Sequence, residues 1–137
     1  MDLLKASLAL KQLKQSVEEQ HSLLEKGLNI GKDVGILIHS GMCARKMMGA
    51  RMTSCKSAKD RTSMFQTYEV SRVMQDEQSL AAAEVIDMAN KLREEGCRLD
   101  NCQLNTGKRK FAFNSMQRPY LPEELCPPAG TCGDVDS

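Results

Sequence analysis

The sequence predicts a predominantly α-helical chain with one short strand, and three observations lead to that prediction. Aromatic residues make up only 4% of the 137 residues and tryptophan is absent, whereas methionine occurs nine times. This composition suits packed helices better than a large sheet. Apolar residues recur at helical spacing over most of the chain. Only residues 50–54 are predicted as a strand, and one strand cannot form a sheet. The chain is therefore either an all-helical domain or part of a larger α/β domain.

The length and charge limit the class of protein. A chain of 137 residues is expected to form one domain over 1–137. Its formal net charge of +1 argues against a nucleic-acid partner, because proteins that bind phosphate backbones carry a strong basic excess. No stretch approaches the roughly 18 consecutive apolar residues of a membrane span, and the N-terminal residues do not resemble a signal peptide. We expect a cytoplasmic protein with at most peripheral membrane contact.

Residues 1–27 are predicted to form an amphipathic helix, because neither glycine nor proline occurs before Gly27. Apolar residues recur in it at every seventh position. This seam fits either a coiled coil or packing against a neighbouring domain surface, and both alternatives stay open. The seam consists of Leu3, Leu10, Val17 and Leu24.

Glycine and proline positions predict the remaining elements. A glycine-rich loop from Gly27 to Gly35 precedes a second helix that ends near Gly49. The tail over 119–137 contains all four prolines and is predicted to be disordered or to lie on a surface. Between them the sequence predicts a strand, loop and helix at 50–75 and two further helices at 79–95 and 108–117.

One segment, from Ser54 to Thr62, carries most of the chemistry. Cys55 closes the predicted strand and Arg61 opens the following helix, which gives the spacing C-x5-R. A tight loop between a strand and a helix directs backbone N–H groups inward, and the helix N-terminus adds partial positive charge. Such a cradle binds phosphate and lowers the pKa of Cys55, so that the nucleophilic thiolate dominates at neutral pH. Arg61 would bind two phosphate oxygens.

Attack by Cys55 on a phosphate gives a phosphocysteine, which water must hydrolyse. The Thr62 hydroxyl would donate to the thiolate and ease its departure. Asp60 is the nearest candidate for the general acid that protonates the leaving group. One other interpretation stays open. In it Asp60 is an N-cap or first-turn acid that stabilises the helix N-terminus, and the general acid comes from sequence upstream.

The remaining cysteines, histidines and methionines are expected to be structural. The six cysteines contain no C-x-x-C pair and stand at no zinc-finger spacing from the histidines, so we expect reduced thiols and no metal site. Charge is concentrated before and within the loop, since residues 43–61 contain six basic residues and one acidic residue, a net +5. Four methionines are predicted to fill the core around the loop, namely Met42, Met47, Met48 and Met52.

The string C-K-S-A-K-D-R-T-S-M resembles the C-x5-R loop of the type I and type II inositol-3,4-bisphosphate 4-phosphatases. It is less similar to bacterial effector inositol phosphatases that carry C-K-S-G-K-D-R-T-G. The resemblance continues downstream in R-E-E-G-C-R-L-D-N, in R-K-F-A-F-N and in P-P-A-G-T-C-G-D. It covers most of the chain after about residue 20, and it corresponds to the C-terminal part of the family's phosphatase domain.

The resemblance implies an α/β cysteine-phosphatase fold in the intact family and a phosphoinositide phosphatase that removes the 4-phosphate of phosphatidylinositol 3,4-bisphosphate without a metal or other cofactor. It implies Cys55 as the nucleophile and Arg61 as the phosphate-binding arginine. The loop residues between them would bind substrate, with lysines on the inositol phosphates; these residues are Lys56, Ser57, Ala58 and Lys59.

The implied partners are a phosphoinositide headgroup, transiently an anionic membrane surface, and the upstream part of the phosphatase domain. Two alternatives remain. One is an inactive fragment that acts as an interaction segment through its N-terminal helix. The other is a protein phosphotyrosine phosphatase, against which the two loop lysines argue, because extra cations suit a multiply phosphorylated ring.

Overall fold

The computed structural model describes residues 3–30, 34–114 and 116–133. They form two compact units, of which the first ends at Met52 and the second begins at Thr53. The described residues contain no strand, and only an isolated parallel bridge pairs Phe111 with Cys132. The predominantly helical prediction is therefore confirmed. The helices are α1 (Leu3–Ile30), α2 (Gly35–Lys46), α3 (Asp60–Gln78), α4 (Val85–Glu95) and α5 (Cys97–Thr106).

The first unit is an antiparallel pair of helices. The Lys46 ammonium donates to the Ser16 hydroxyl at 2.8 Å, and Nδ1 of His39 lies 3.4 Å from a carboxylate oxygen of Glu19. The later residue of α2 thus meets the earlier residue of α1, which requires opposite chain directions. Ser16 is buried at this contact, and Gly41 and Cys43 are the buried residues of α2.

The heptad seam of α1 is not the face on which α2 packs. Leu3, Leu10 and Val17 are all at least half exposed, and the side chain of Leu24 lies outside the described residues. The helix also runs to Ile30, through the start of the predicted glycine loop, of which Gly31 lies outside the described residues. The coiled-coil and surface-packing alternatives for this seam both stay predictions.

Residues 49–55 have no regular secondary structure, so the strand predicted at 50–54 is wrong. A strand is stabilised by hydrogen bonds to a neighbouring strand, and the described part of the chain supplies none for this segment. The prediction that methionines fill the core here is also wrong for three of the four. Met48 and Met52 are each 96% exposed and Met47 is exposed as well, whereas Met42 on α2 is half-buried.

The second unit packs α3 against α4 and encloses an apolar cluster of Met64, Leu99, Phe111 and Phe113. The helix predicted at 108–117 does not form. Phe111 and Phe113 are both buried although they stand two positions apart, which is the spacing of extended backbone and not of a helix face. The bridge to Cys132 and the hydrogen bond from the Phe111 N–H to the Thr131 carbonyl hold this extended segment.

Helix α5 begins directly after Gly96, the residue that ends α4. A Cβ at Gly96 would lie 2.4 Å from the carbonyl oxygen of Leu92, so the sharp change of direction needs a residue without a side chain. The glycine pattern predicts a helix end at Gly96 but does not predict α5. The first turn of α5 nevertheless falls in the R-E-E-G-C-R-L-D-N block of the resemblance.

The C-terminal tail packs on the second unit as far as Gly133, and residues 134–137 lie outside the described residues. Leu121, Leu125 and Cys132 lie against the apolar cluster and Pro127 is fully buried. Of the two alternatives predicted for the tail, the structure supports packing on a surface and contradicts disorder for the described residues up to 133. Two short 3-10 turns, Arg118–Tyr120 and Glu123–Leu125, bend the tail over the helices.

Arg93 on α4 fastens this tail. Its side chain is only 1% exposed, and all five guanidinium N–H groups have acceptors at 2.6–3.0 Å. Burial lowers its pKa to about 10, so Arg93 stays charged at neutral pH. The acceptors are the Thr67 hydroxyl, the Asn90 side-chain oxygen and the carbonyl oxygens of Met64, Glu124 and Cys126.

Candidate functional site

The C-x5-R loop lies entirely within the second unit, at the N-terminus of α3. The Cys55 N–H donates to the Thr62 hydroxyl at 2.9 Å, and the Ala58 N–H donates to the Cys55 carbonyl at 3.1 Å. Thr62 is buried in the first turn of α3. The loop therefore closes on the helix that follows it, without a strand before Cys55.

The Cys55 sulfur sits among hydrogen-bond donors. Partial burial by itself would raise the pKa of this thiol. Hydrogen bonds from the Thr62 hydroxyl and from the backbone of Thr62, Lys59 and Ser57 outweigh that effect and lower the pKa to about 6. Donors that converge on one atom stabilise its anion. At neutral pH Cys55 is therefore mainly a thiolate, and the same donors can hold the oxygens of a phosphate.

Ala58 gives the loop its turn. Its φ of +50° lies in the left-handed region, which an L-residue other than glycine occupies at a cost of about 1–2 kcal/mol. The side chain is exposed, so no packing contact compensates for this cost. Ala58 therefore marks the point at which the loop backbone turns toward α3.

Ala58→Gly is expected to keep the loop conformation and to leave stability unchanged or raise it by up to about 1 kcal/mol, because glycine adopts this φ freely. Ala58→Val is expected to lower stability by about 1–2 kcal/mol, since a β-branched side chain tolerates the left-handed region poorly. Urea unfolding measures both changes. The control is Ala129→Val, at an exposed alanine with ordinary φ. Equal losses for the two valine variants would contradict this account.

The three cations of the loop are exposed. Within the part of the chain that the structure describes, no hydrogen bond or ion pair engages the side chains of Lys56, Lys59 or Arg61. Arg61 occupies the first turn of α3 but donates no hydrogen bond to the Cys55 sulfur. The three side chains therefore remain available to anionic groups of a substrate.

The concentration of positive charge over 43–61 is divided between the two units. Arg45, Lys46 and Arg51 belong to the first unit. Lys46 bonds to α1, and Arg51 donates to the Leu37 carbonyl at 2.6 Å and to the Ser40 hydroxyl. These contacts give Lys46 and Arg51 a structural role within the helix pair.

Asp60 is buried and both of its carboxylate oxygens are occupied. Arg98 donates to Oδ1 through Nε at 2.7 Å and through Nη2 at 2.6 Å, and the Ala112 N–H donates to Oδ2 at 3.0 Å. A general acid must present a proton to the leaving group. These contacts favour the alternative interpretation of Asp60 as a structural acid in the first turn of α3, whose N-cap is Lys59.

Arg98 is the residue near the loop that the sequence analysis did not single out. It lies 38 positions from Asp60, and a single sequence shows no pairing between residues so far apart. The only signal was its place in the R-E-E-G-C-R-L-D-N block of the resemblance. Ala112 likewise falls in the R-K-F-A-F-N block.

The other candidate ligands do not form a site. All six cysteines are free thiols, and Cys43 and Cys102 are buried. No group of three or more His, Cys, Asp or Glu side chains among the described residues is placed to hold a metal ion. None of the described helices combines the length and apolarity required to cross a bilayer.

Comparison with known proteins places the chain in a family. Residues 3–124 match the family model of the INPP4A C-terminal domain. The chain is 42% identical over 106 residues to human inositol polyphosphate 4-phosphatase type II, covering 77% of this chain and 12% of the relative. It is 41% identical to the rat type II inositol 3,4-bisphosphate 4-phosphatase, covering 77% of this chain and 11% of that protein.

No solved structure matches the chain significantly. The chain spans only about an eighth of the length of the curated relatives that it matches. The family model, in contrast, covers most of it and includes the whole C-x5-R loop. The chain belongs to the inositol polyphosphate 4-phosphatase family, in which it corresponds to the C-terminal domain.

Proposed function

We propose that this chain carries the nucleophilic loop of a phosphoinositide phosphatase that removes the 4-phosphate of phosphatidylinositol 3,4-bisphosphate. The observation that carries the proposal is the set of donors around the Cys55 sulfur, which lowers its pKa to about 6. A cysteine held as a thiolate beside several N–H groups has both the nucleophile and the anion cradle that phosphate transfer requires. The substrate class is supported by the relatives, which are an inositol polyphosphate 4-phosphatase and an inositol 3,4-bisphosphate 4-phosphatase.

The reaction proceeds in two displacements. The Cys55 thiolate attacks phosphorus, the bond from phosphorus to the inositol oxygen breaks, and that oxygen takes a proton from solvent water. A second water then attacks the phosphocysteine and gives up a proton to solvent. The phosphorus–sulfur bond breaks, inorganic phosphate is released, and Cys55 leaves again as a thiolate. Thr62 assists this second step, because its hydroxyl already donates to the sulfur. Neither step requires a metal or another cofactor.

The exposed cations determine the preferred substrate. Arg61 would bind the phosphate under attack in bidentate fashion, and it stands in the same helical turn as Thr62. Lys56 and Lys59 would bind the second phosphate of the ring, and Ser57 and Ala58 supply backbone between them. A single phosphotyrosine offers no partner for the additional cations. The same cations would make transient contact with an anionic membrane surface, at about 1 kcal/mol for each basic residue.

The test is phosphate release from phosphatidylinositol 3,4-bisphosphate in mixed vesicles by the full chain. Cys55→Ser is expected to lower the rate by a factor of about 1,000 or more, because hydroxyl replaces the activated thiolate. Cys97→Ser, which changes an exposed thiol outside the loop, is the matched control and should retain the rate. A phosphotyrosine peptide in place of the lipid should release much less phosphate.

Three results would contradict the proposal. Equal release by Cys55→Ser would exclude Cys55 as the nucleophile. Faster release from the phosphotyrosine peptide would favour a protein phosphatase. No release by a folded, monodisperse chain would exclude turnover by this chain alone. That result would favour an interaction role for α1, whose exposed Leu3, Leu8 and Leu10 are the observation in its support.

A further inference from the structure

We propose that Arg98 is a positioning residue of the C-x5-R loop, which holds Asp60 and thereby fixes the turn of α3 against which Cys55 is aligned. The proposal rests on the proposed function only in taking Cys55 as the reacting group. The loop itself makes few contacts with the core, since its cations and Ala58 are exposed. The position of the sulfur must therefore be determined by what holds the first turn of α3.

Arg98 and Asp60 form a short, mostly buried ion pair at that turn. Two guanidinium nitrogens lie 2.6 and 2.7 Å from the same carboxylate oxygen. The side chains are only 22% and 8% exposed, so solvent screens the pair weakly. Because Arg98 stands in the first turn of α5, the pair ties the start of α3 to the start of α5.

The second carboxylate oxygen of Asp60 connects the turn to the apolar core. It accepts the Ala112 N–H at 3.0 Å, and Ala112 stands between Phe111 and Phe113, which are 0% and 4% exposed. A backbone segment between two buried aromatic residues is a fixed reference point. Asp60 is thus held on one side by α5 and on the other by the core.

Thr62 transmits this placement to Cys55. It follows Asp60 by two residues in the same helical turn and is itself buried. Its hydroxyl accepts the Cys55 N–H at 2.9 Å and donates to the Cys55 sulfur. If the turn shifts, the hydroxyl and the Thr62 N–H move away from the sulfur together. Loss of the Arg98 contact should therefore raise the pH at which Cys55 becomes a thiolate.

The nearby titratable group on α5 is Cys102, on which the charges of Arg98, Asp60 and Lys59 act. Burial raises the pKa of the Cys102 thiol, so it stays neutral at the pH values at which Cys55 titrates. A shift in the Cys55 titration would therefore report on the turn itself.

The experiment follows the alkylation rate of Cys55 by iodoacetamide against pH in the full chain. Digestion with trypsin isolates Cys55 in the peptide Met52–Lys56, which contains no other cysteine. Arg98→Met is expected to raise the midpoint by about one pH unit. Arg109→Met is the matched control, because Arg109 pairs with the exposed Asp100 at 3.0 Å and donates to the Glu94 carbonyl at 2.9 Å, and neither contact involves the loop. It should leave the midpoint unchanged.

A double-mutant cycle shows whether Arg98 acts through Thr62. Thr62→Val should raise the midpoint by itself, and adding Arg98→Met should then raise it little further. Arg98→Lys, which retains the charge, should raise the midpoint less than Arg98→Met does. Equal shifts from Arg98→Met in both backgrounds would overturn the proposed route. An unchanged midpoint in folded Arg98→Met would overturn the proposal altogether.

A variant that does not fold still decides the question. Arg98→Gln, which replaces the charged guanidinium by one neutral amide donor, takes the place of Arg98→Met in that case and should show a smaller shift in the same upward direction. If neither variant folds under conditions in which Arg109→Met folds, Arg98 supports the whole unit and the specific positioning role is overturned. Alkylation requires no substrate, so these outcomes are independent of whether the chain releases phosphate from a lipid.

Discussion

Arg93→Met is expected to lower the free energy of unfolding by about 3 kcal/mol or more. The methionine side chain fills much of the volume of the arginine but donates no hydrogen bond. With methionine at this position, five hydrogen-bond acceptors lose their guanidinium donor, among them the carbonyl oxygens of Glu124 and Cys126 in the tail. Each buried acceptor that loses its partner costs about 1–3 kcal/mol, which the removal of a buried charge only partly offsets. Urea unfolding followed by circular dichroism measures the loss.

Two controls identify the cause of that loss. Arg109→Met removes an exposed arginine from the same unit and should change the stability by no more than about 0.5 kcal/mol. Arg93→Lys keeps the charge but has three donors in place of five, so it should fall between the wild type and Arg93→Met. If the free energy of unfolding of Arg93→Met lies within about 1 kcal/mol of the wild-type value, the five hydrogen bonds do not hold the tail.

Thr62→Val is expected to slow the alkylation of Cys55 at neutral pH by about three- to tenfold. Valine has nearly the shape of threonine but lacks the hydroxyl, and that hydroxyl is the strongest of the contacts that lower the pKa of Cys55. Without it the thiol titrates closer to its ordinary value and less thiolate is present at neutral pH. The alkylated and unmodified forms of the Met52–Lys56 peptide give the rate directly.

Thr62→Ser is the matched control, because serine keeps the hydroxyl and should alkylate at nearly the wild-type rate. The same contact also makes stability depend on pH. The Cys55 pKa is lower in the folded chain, so the thiolate contributes stability that is fully present above the ordinary thiol pKa and is lost as the pH falls through about 6. The stability difference between wild type and Thr62→Val should therefore shrink on acidification. A difference that grows toward low pH would contradict this assignment.

Features that depend on nearby residues could be predicted from the sequence. The first helix, the helix that begins after the loop and the helix that ends at Gly96 all follow from local spacing and from glycine positions. The cradle around Cys55 also follows from residues within seven positions of one another. The residues that form the cradle can be predicted locally, because a short loop directs its own backbone N–H groups inward. The way in which the first turn of α3 is held cannot be predicted locally, because distant residues bind Asp60.

Features that depend on distant pairs could not be predicted in this way. Asp60 looked like an acid without a partner because its partners, Arg98 and Ala112, stand 38 and 52 positions away. The prolines and glycines of the tail exclude regular helix but leave open whether it is disordered or packed, and the contacts with Arg93 and the apolar cluster that decide this are distant in sequence. The strand was predicted from the loop that follows it, although a strand also requires a neighbour to pair with.

The central claim is that the loop holds Cys55 as a thiolate at neutral pH. The ultraviolet absorbance of the thiolate, recorded against pH for the wild-type chain and for Cys55→Ser, tests this claim most directly. The difference between the two titrations isolates Cys55 from the other five cysteines. The difference in absorbance plotted against pH is expected to have its midpoint near pH 6. A midpoint at the ordinary thiol value, about 8.5, would contradict it.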